Sequence, residues 1–383
     1  MMNIIMTIIN WIAGFFTHEV ESVQKPQNVM EVLDNIQIMP TECLYYISTF
    51  LTGKDIYSLS VVSGCSVNDI MYKRDIKFDV KNSLKYINDR SFRIDISKVR
   101  SVKNRNLALS FTNVDVVNLN RLKNILNLTE LGLMRTNLVD ISALRNITSL
   151  TKLDLRGNGI VDISPLQNLT KLDTLRLGGN KVINIRALEN LTNLTTLNLF
   201  CNKISNIDAL KNLTSLTSLD LSDNHNIQNI SHIGNLVNLT NLNLYLLRET
   251  DGDINMLKNL TKLTKLNLGN MGSIVDITVL ENITNLTSLD LSENHVIDIS
   301  SIKYLINLHE LNLNRVNTEW VNIDISSLEN LTKLTKLNLR SQGVKDMKPI
   351  LNLKSLTHLN IRGYRSKSRN EFENLINLID FRI

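Results

Sequence analysis

A leucine frame recurs along most of this chain. Leu-x-Leu stands at Leu131/Leu133, Leu153/Leu155, Leu175/Leu177, Leu197/Leu199 and Leu219/Leu221, five times at a spacing of 22 residues. It continues from Leu242, Leu266, Leu289, Leu311, Leu337 and Leu359, with weaker copies at Leu107/Leu109 and Phe381/Ile383, thirteen in all. Alternation of period two puts Leu153 and Leu155 on one side of a strand and Lys152, Asp154 and Arg156 on the other. One such strand cannot bury its own face. Stacked copies can, each leucine over its counterpart in the next coil, so the repeat predicts a solenoid rather than a globule.

About five residues after the strand leucines comes an asparagine: Asn137, Asn158, Asn180, Asn202, Asn224 and Asn294. A column of inward-facing amides can bond the backbone groups that each turn leaves unpaired, a structural role. The best copy runs from Leu150 through Leu153, Leu155, Asn158, Ile160, Ile163 and Leu166 to Leu169. In these residues the chain, from about 105 to 383, resembles the leucine-rich repeat family, in the 22-residue class also found in internalins. The resemblance implies an α/β solenoid, a curved array with a parallel concave β-sheet and short turns or 3₁₀ segments on its convex side.

Composition narrows the setting. With 42 Lys and Arg against 37 Asp and Glu, the net charge of +5 sets up no global field toward nucleic acid or acidic membrane. Cys43, Cys65 and Cys201 are odd in number and lack metal-ligand spacing, so neither a disulfide framework nor a zinc site is expected, and a reducing cytosolic compartment fits. Asn-Leu-Thr recurs at Asn127, Asn168, Asn190, Asn212, Asn259 and Asn330. Beside core leucines, several sugars would crowd a solenoid, so these are read as turn chemistry rather than glycosylation sites.

Upstream, residues 1–35 are an apolar segment and linker. Residues 1–16 are too short for a confident span and lack a basic flank or cleavage site, which leaves a buried helix, a membrane-surface anchor or a signal-anchor. Residues 36–74 carry three short helical patterns. Pro40 starts the first, with Leu44, Ile47 and Leu51 on one face and Gly53 at its end; Asp55 caps the second, with Ile56, Leu59 and Val62; Ser66 caps a third. Such helices could simply cap the solenoid, which needs a cap. Met39-Pro40-Thr41-Glu42, Ile47, Phe50-Leu51, Asp55-Ile56, Leu59 and Val62-Ser63 also resemble the F-box family. The resemblance implies docking to the Skp-type adaptor of a cullin ligase through Met39, Pro40, Leu44, Ile47, Leu51, Asp55, Ile56, Leu59 and Val62. Met39 replaces the usual leucine, and Ser66 stands where tryptophan is common. Residues 75–104 connect this small helical module to the repeats.

Signatures of catalysis are missing: no Gly-rich phosphate loop, H-E-x-x-H or G-x-S-x-G occurs. His225 and His295 share a repeat position but lie three coils apart, about 14 Å, too far for one metal. No cofactor and no enzyme activity are expected. Instead, a protein target is expected on the concave columns, with Phe200 and Tyr245 as anchors two coils apart and Trp320 in the longest interval. Ten bases against one acid between Lys333 and Arg369 point to an acidic or phosphorylated partner gripped by Lys336, Arg340 and Arg362. Nucleic acid is disfavoured because only Tyr364 could stack a base there. The leading expectation is a ligase substrate receptor; a non-ligase scaffold and a membrane-anchored adhesion protein are the alternatives.

Overall fold

The computed structural model describes residues 76–78, 107–112, 119, 128–317, 322–341, 343–364 and 369–382. The chain divides into two units, Met1–Phe111 with Asn124–Leu131, and Thr112–Lys123 with Gly132–Ile383. In the first, β1 (Ile76–Phe78) pairs in parallel with β2 (Leu107–Thr112), Ile76 opposite Leu107. The segment expected to be a connector therefore contributes a strand of its own. β3 (Leu128–Met134) spans the boundary. The F-box-like module and residues 1–16 lie outside the described residues.

The second unit is a curved solenoid. Its strands are β4 (Lys152–Asp154), β5 (Thr174–Arg176), β6 (Thr196–Asn198), β7 (Ser218–Asp220), β8 (Asn241–Asn243), β9 (Lys265–Asn267), β10 (Ser288–Asp290), β11 (Glu310–Asn312), β12 (Lys336–Asn338), β13 (His358–Asn360) and β14 (Asp380–Arg382). They form one parallel sheet in chain order, with each central leucine opposite the next, from Leu153↔Leu175 to Leu359↔Phe381. Each strand returns through a short 3₁₀ turn such as Ser164–Leu166. A 3₁₀ turn is bulkier than a strand, and strands sit only about 4.8 Å apart, so stacking bends the array with the sheet inside.

Within one coil, Leu153, Leu155, Ile160, Ile163, Leu166, Leu169 and Leu172 are all buried, each supplying roughly 1.5–3 kcal/mol of hydrophobic stabilisation. Three polar ladders run along the array, and the first two tie coil to coil. In the first, Asn180 donates its amide to Leu155 O at 3.0 Å and Leu177 O at 2.8 Å and accepts from Ile160 N at 3.1 Å. Asn202 and Asn224 repeat this geometry. Asn137 does not belong to it. It is exposed with φ of 56°, and Thr136 occupies the inward position, its hydroxyl donating to Leu133 O at 2.9 Å. The copy at Leu131 thus places threonine where those at Leu153, Leu175, Leu197, Leu219 and Leu289 place asparagine.

The second ladder is made of hydroxyls: Thr217, Thr240, Thr264 and Thr287 each donate to a carbonyl of the preceding coil at 3.0–3.1 Å. The third opens the 3₁₀ turns. Asp140, Asp162, Asn184, Asn206, Asn229, Asp253, Asp276, Asp298, Asp324 and Asp346 each accept the backbone N–H two residues on, at 2.8–2.9 Å. Aspartate and asparagine serve equally because the bond needs only a side-chain oxygen.

A left-handed residue stands four positions after the first strand leucine in each of the eleven coils from Leu131 to Leu359: Arg135, Gly157, Gly179, Cys201, Asp223, Leu246, Asn270, Glu293, Arg315, Ser341 and Gly363. Only three are glycine. Elsewhere the ladders on both sides hold an L-residue in a conformation that costs roughly 1–2 kcal/mol.

Candidate binding face

The concave surface is built from the strand residues that alternate with the core leucines. Gly132, Asp154, Arg176, Asn198, Asp220, Asn243, Asn267, Asp290, Asn312, Asn338 and Asn360 form one column. Two residues on, Met134, Arg156, Gly178, Phe200, Ser222, Tyr245, Gly269, Ser292, Asn314, Arg340 and Arg362 form a second. The chemistry of the first column decides what the second can do. Asp154 takes the Arg156 guanidinium in two bonds, Nη2 to Oδ2 at 2.6 Å and Nε to Oδ1 at 2.9 Å. This holds the guanidinium pKa above its usual value. Asp220 and Asp290 accept the hydroxyls of Ser222 and Ser292, both at 2.6 Å. Asparagine at the same position accepts the backbone N–H two residues on, as from Tyr245, Gly269, Asn314, Arg340 and Arg362. The side chains of Arg340 and Arg362 take no bond from that asparagine and remain exposed.

Phe200 and Tyr245 both reach this face and are half-buried. A Cβ on Gly178 would fall 2.1 Å from the Phe200 ring, and one on Gly269 would fall 3.1 Å from the Tyr245 ring. Each ring therefore lies along the sheet over the glycine of an adjoining coil, leaning away from Ser222 between them. The missing Cβ leaves the room that the Phe200 ring takes at Gly178 and the Tyr245 ring borders at Gly269, a pairing between coils that leucine periodicity does not reveal. Small residues thus alternate with rings over five successive coils.

Of the basic residues expected at the C-terminal end, those described spread around the coil. Lys336 donates to Glu310 at 2.6 Å, which lowers the Glu310 pKa. Lys333 bonds Asn307 Oδ1 at 2.7 Å, Lys354 bonds the Asn374 carbonyl at 3.2 Å, and Lys348 sits 3.9 Å from Asp346. Arg340 and Arg362 remain exposed on the strand face. Arg365 and Lys367 lie outside the described residues, as does Trp320. A shallow groove of about 320 Å³ runs from Ser288 and Asp290 past Lys336 and His358 to Arg382.

His225, three coils from His295, has its Nε2 2.9 Å from Asp223 Oδ1. Among the described residues no group of three or more His, Cys, Asp or Glu could hold a metal. Among them, too, no helix is long and apolar enough to cross a membrane. The sequon residues Asn168, Asn190, Asn212, Asn259 and Asn330 are exposed.

A family model described as leucine rich repeats, in two copies, matches residues 148–190 and 170–212. Among curated proteins no match is found. The chain is similar to an internalin of Listeria monocytogenes at 29% identity, over 79% of this chain and 93% of that one, with a TM-score of 0.64. A leucine-rich-repeat protein of Leptospira interrogans, 18% identical, shares the fold over 94% of this chain and 100% of its own, with a TM-score of 0.59. The ectodomain of an Arabidopsis receptor kinase, solved in complex with a peptide hormone, is 25% identical over 61% of this chain and 42% of its own, with a TM-score of 0.53.

Proposed function

We propose that this leucine-rich-repeat solenoid is the target-binding half of a ligase substrate receptor, with the F-box-like residues 36–74 docking a Skp-type adaptor of a cullin ligase. The observation that carries the binding half is the concave face itself. It is open and lined by amides and carboxylates, with two aromatic rings beside glycines and two arginines that have no carboxylate within 4.0 Å among the described residues. Such a surface suits a protein segment, and the similar plant ectodomain holds a peptide hormone. The adaptor half is supported by the residues from Met39 to Val62 and by their place just upstream of repeats.

Co-precipitation of the full chain with a Skp-type adaptor and cullin tests the ligase half. Leu51→Asp should abolish capture and leave the circular dichroism of the repeats unchanged; a wild-type chain that captures no adaptor leaves a non-ligase scaffold. Phe200→Ala with Tyr245→Ala should cost target capture at least tenfold, roughly 1.4 kcal/mol or more. A second reading, an adhesion protein exposed to a secretory lumen with residues 1–16 as anchor, draws support from the exposed sequons. Sugar on Asn168 or Asn190, read by mass spectrometry of protein from its natural cell, would favour it over a cytosolic receptor.

A further inference from the structure

We propose that Arg340 and Arg362 form a site for a phosphate monoester carried by the bound segment, a deepening that rests on the concave-face reading above. Leu339 N donates to Asn360 O at 2.8 Å and Ser341 N to Arg362 O at 2.6 Å, so the ladder of β12 and β13 continues through both arginines. They stand side by side in one column, about 4.8 Å apart along the array. Both side chains are exposed. Among the described residues neither guanidinium has a carboxylate within 4.0 Å.

Arg156 occupies the same column and is the internal control. Its neighbour two residues back is Asp154, which locks the guanidinium at 2.6 Å. Two residues before Arg340 and Arg362 stand Asn338 and Asn360, which accept only the arginine backbone N–H, at 3.1 and 3.2 Å. One oxygen-for-nitrogen difference separates a closed arginine from an open one. The acids nearby are already engaged: Glu310 by Lys336 at 2.6 Å and Asp380 by Arg382 at 2.8 Å. Two open planar forks at one strand spacing match the several oxygens of a phosphate dianion, whereas a carboxylate is satisfied by one fork. Lys336, named with them from the sequence, drops out of the site because its charge is answered by Glu310.

The test is titration of the full chain, at constant ionic strength, with N-acetyl-phosphoserine amide and separately with N-acetyl-glutamate amide, following arginine Nε–H resonances. Those of Arg340 and Arg362 should shift saturably with the phosphoserine probe while Arg156 and Arg382 stay in place. Asn338→Asp with Asn360→Asp keeps both arginines and copies a pairing the fold already contains; it should weaken the probe at least tenfold. Unsaturable shifts, equal response of Arg156, equal response to the glutamate probe, or unchanged affinity in the double variant would each overturn the site. The readout uses a small probe on the free chain. It can therefore fail while target capture stays sensitive to Phe200 and Tyr245, which separates its failure from that of the concave-face reading.

Discussion

The coils from Leu153 to Asn224 and those from Leu242 to Val316 solve one problem in two ways. In the first stretch the interval is 22 until the last coil, and every turn carries the inward asparagine, at Asn158, Asn180, Asn202 and Asn224. In the second, the coils that begin at Leu242, Leu266 and Leu311 lengthen to 24, 23 and 26 residues. Their inward position holds Leu247, Met271 and Val316, all fully buried. Hydroxyls partly replace the lost amide: Thr250 donates to Leu247 O at 3.1 Å and Ser273 to Thr250 O at 3.0 Å. Asn294 follows an amide-free coil and keeps its two donor bonds, but its Oδ1 has no partner among the described residues. The amide ladder is therefore a contract between neighbours. An asparagine pays its desolvation only where the turn before it has the 22-residue path that presents an N–H.

The hardest blow to this comparison would come from the core that both stretches share. Leu219→Asp buries a charge with no partner and should unfold the unit, a loss of roughly 3–5 kcal/mol, whereas Asp220→Leu on the concave side should cost under about 1 kcal/mol. Superimposable thermal melts of the two variants would overturn the register. Next in size is the amide itself. Asn202→Leu strips partners from Leu177 O, Leu199 O and Val182 N and should cost about 2–4 kcal/mol. The reciprocal Leu247→Asn should also destabilise, by about 2–3 kcal/mol, because the longer coil offers the amide no matching groups. Urea denaturation that finds Leu247→Asn neutral would break the distinction between the stretches.

A smaller effect of opposite sign is expected at the left-handed turn. Ser341→Gly relieves a φ of 54° and should raise stability by up to about 1 kcal/mol in the same urea assay. Smallest is the turn-opening carboxylate. Backbone N–H and hydroxyl bonds from Ser326 hold the Asp324 pKa below its usual value. A carboxylate depressed in the folded state adds stability above its unfolded pKa and loses it as pH falls through the folded one. Asp324→Asn should therefore match wild type at pH 7 and lose less stability on acidification below about pH 4. Acid-titration curves that diverge at neutral pH instead would show that the charge, not the oxygen, serves the turn.

Leucine spacing alone determined the strand positions, the parallel order, the buried set and which residues share a concave column. Those are properties of a side chain's own direction, repeated every coil, and a period in sequence carries them without help from neighbours. The inward asparagines were legible too, except where the count slipped by one and chose Asn137 over Thr136. The left-handed position was not, because glycine, cysteine, leucine, glutamate and arginine all stand there; the ladders around the turn impose the conformation, not the residue. Nor was the sorting of the concave arginines. Asp154 before Arg156 and Asn338 and Asn360 before Arg340 and Arg362 stand in the sequence, but only the structure shows that this residue two positions back binds the guanidinium in one case and the backbone N–H alone in the others. Lys336 met Glu310 across 26 residues of chain, and Phe200 met Gly178 across a coil boundary. Pairings of that kind depend on where the next coil's side chains end up, and the tertiary structure decided them because a hydrogen bond is sensitive to a few tenths of an ångström that no repeat pattern encodes.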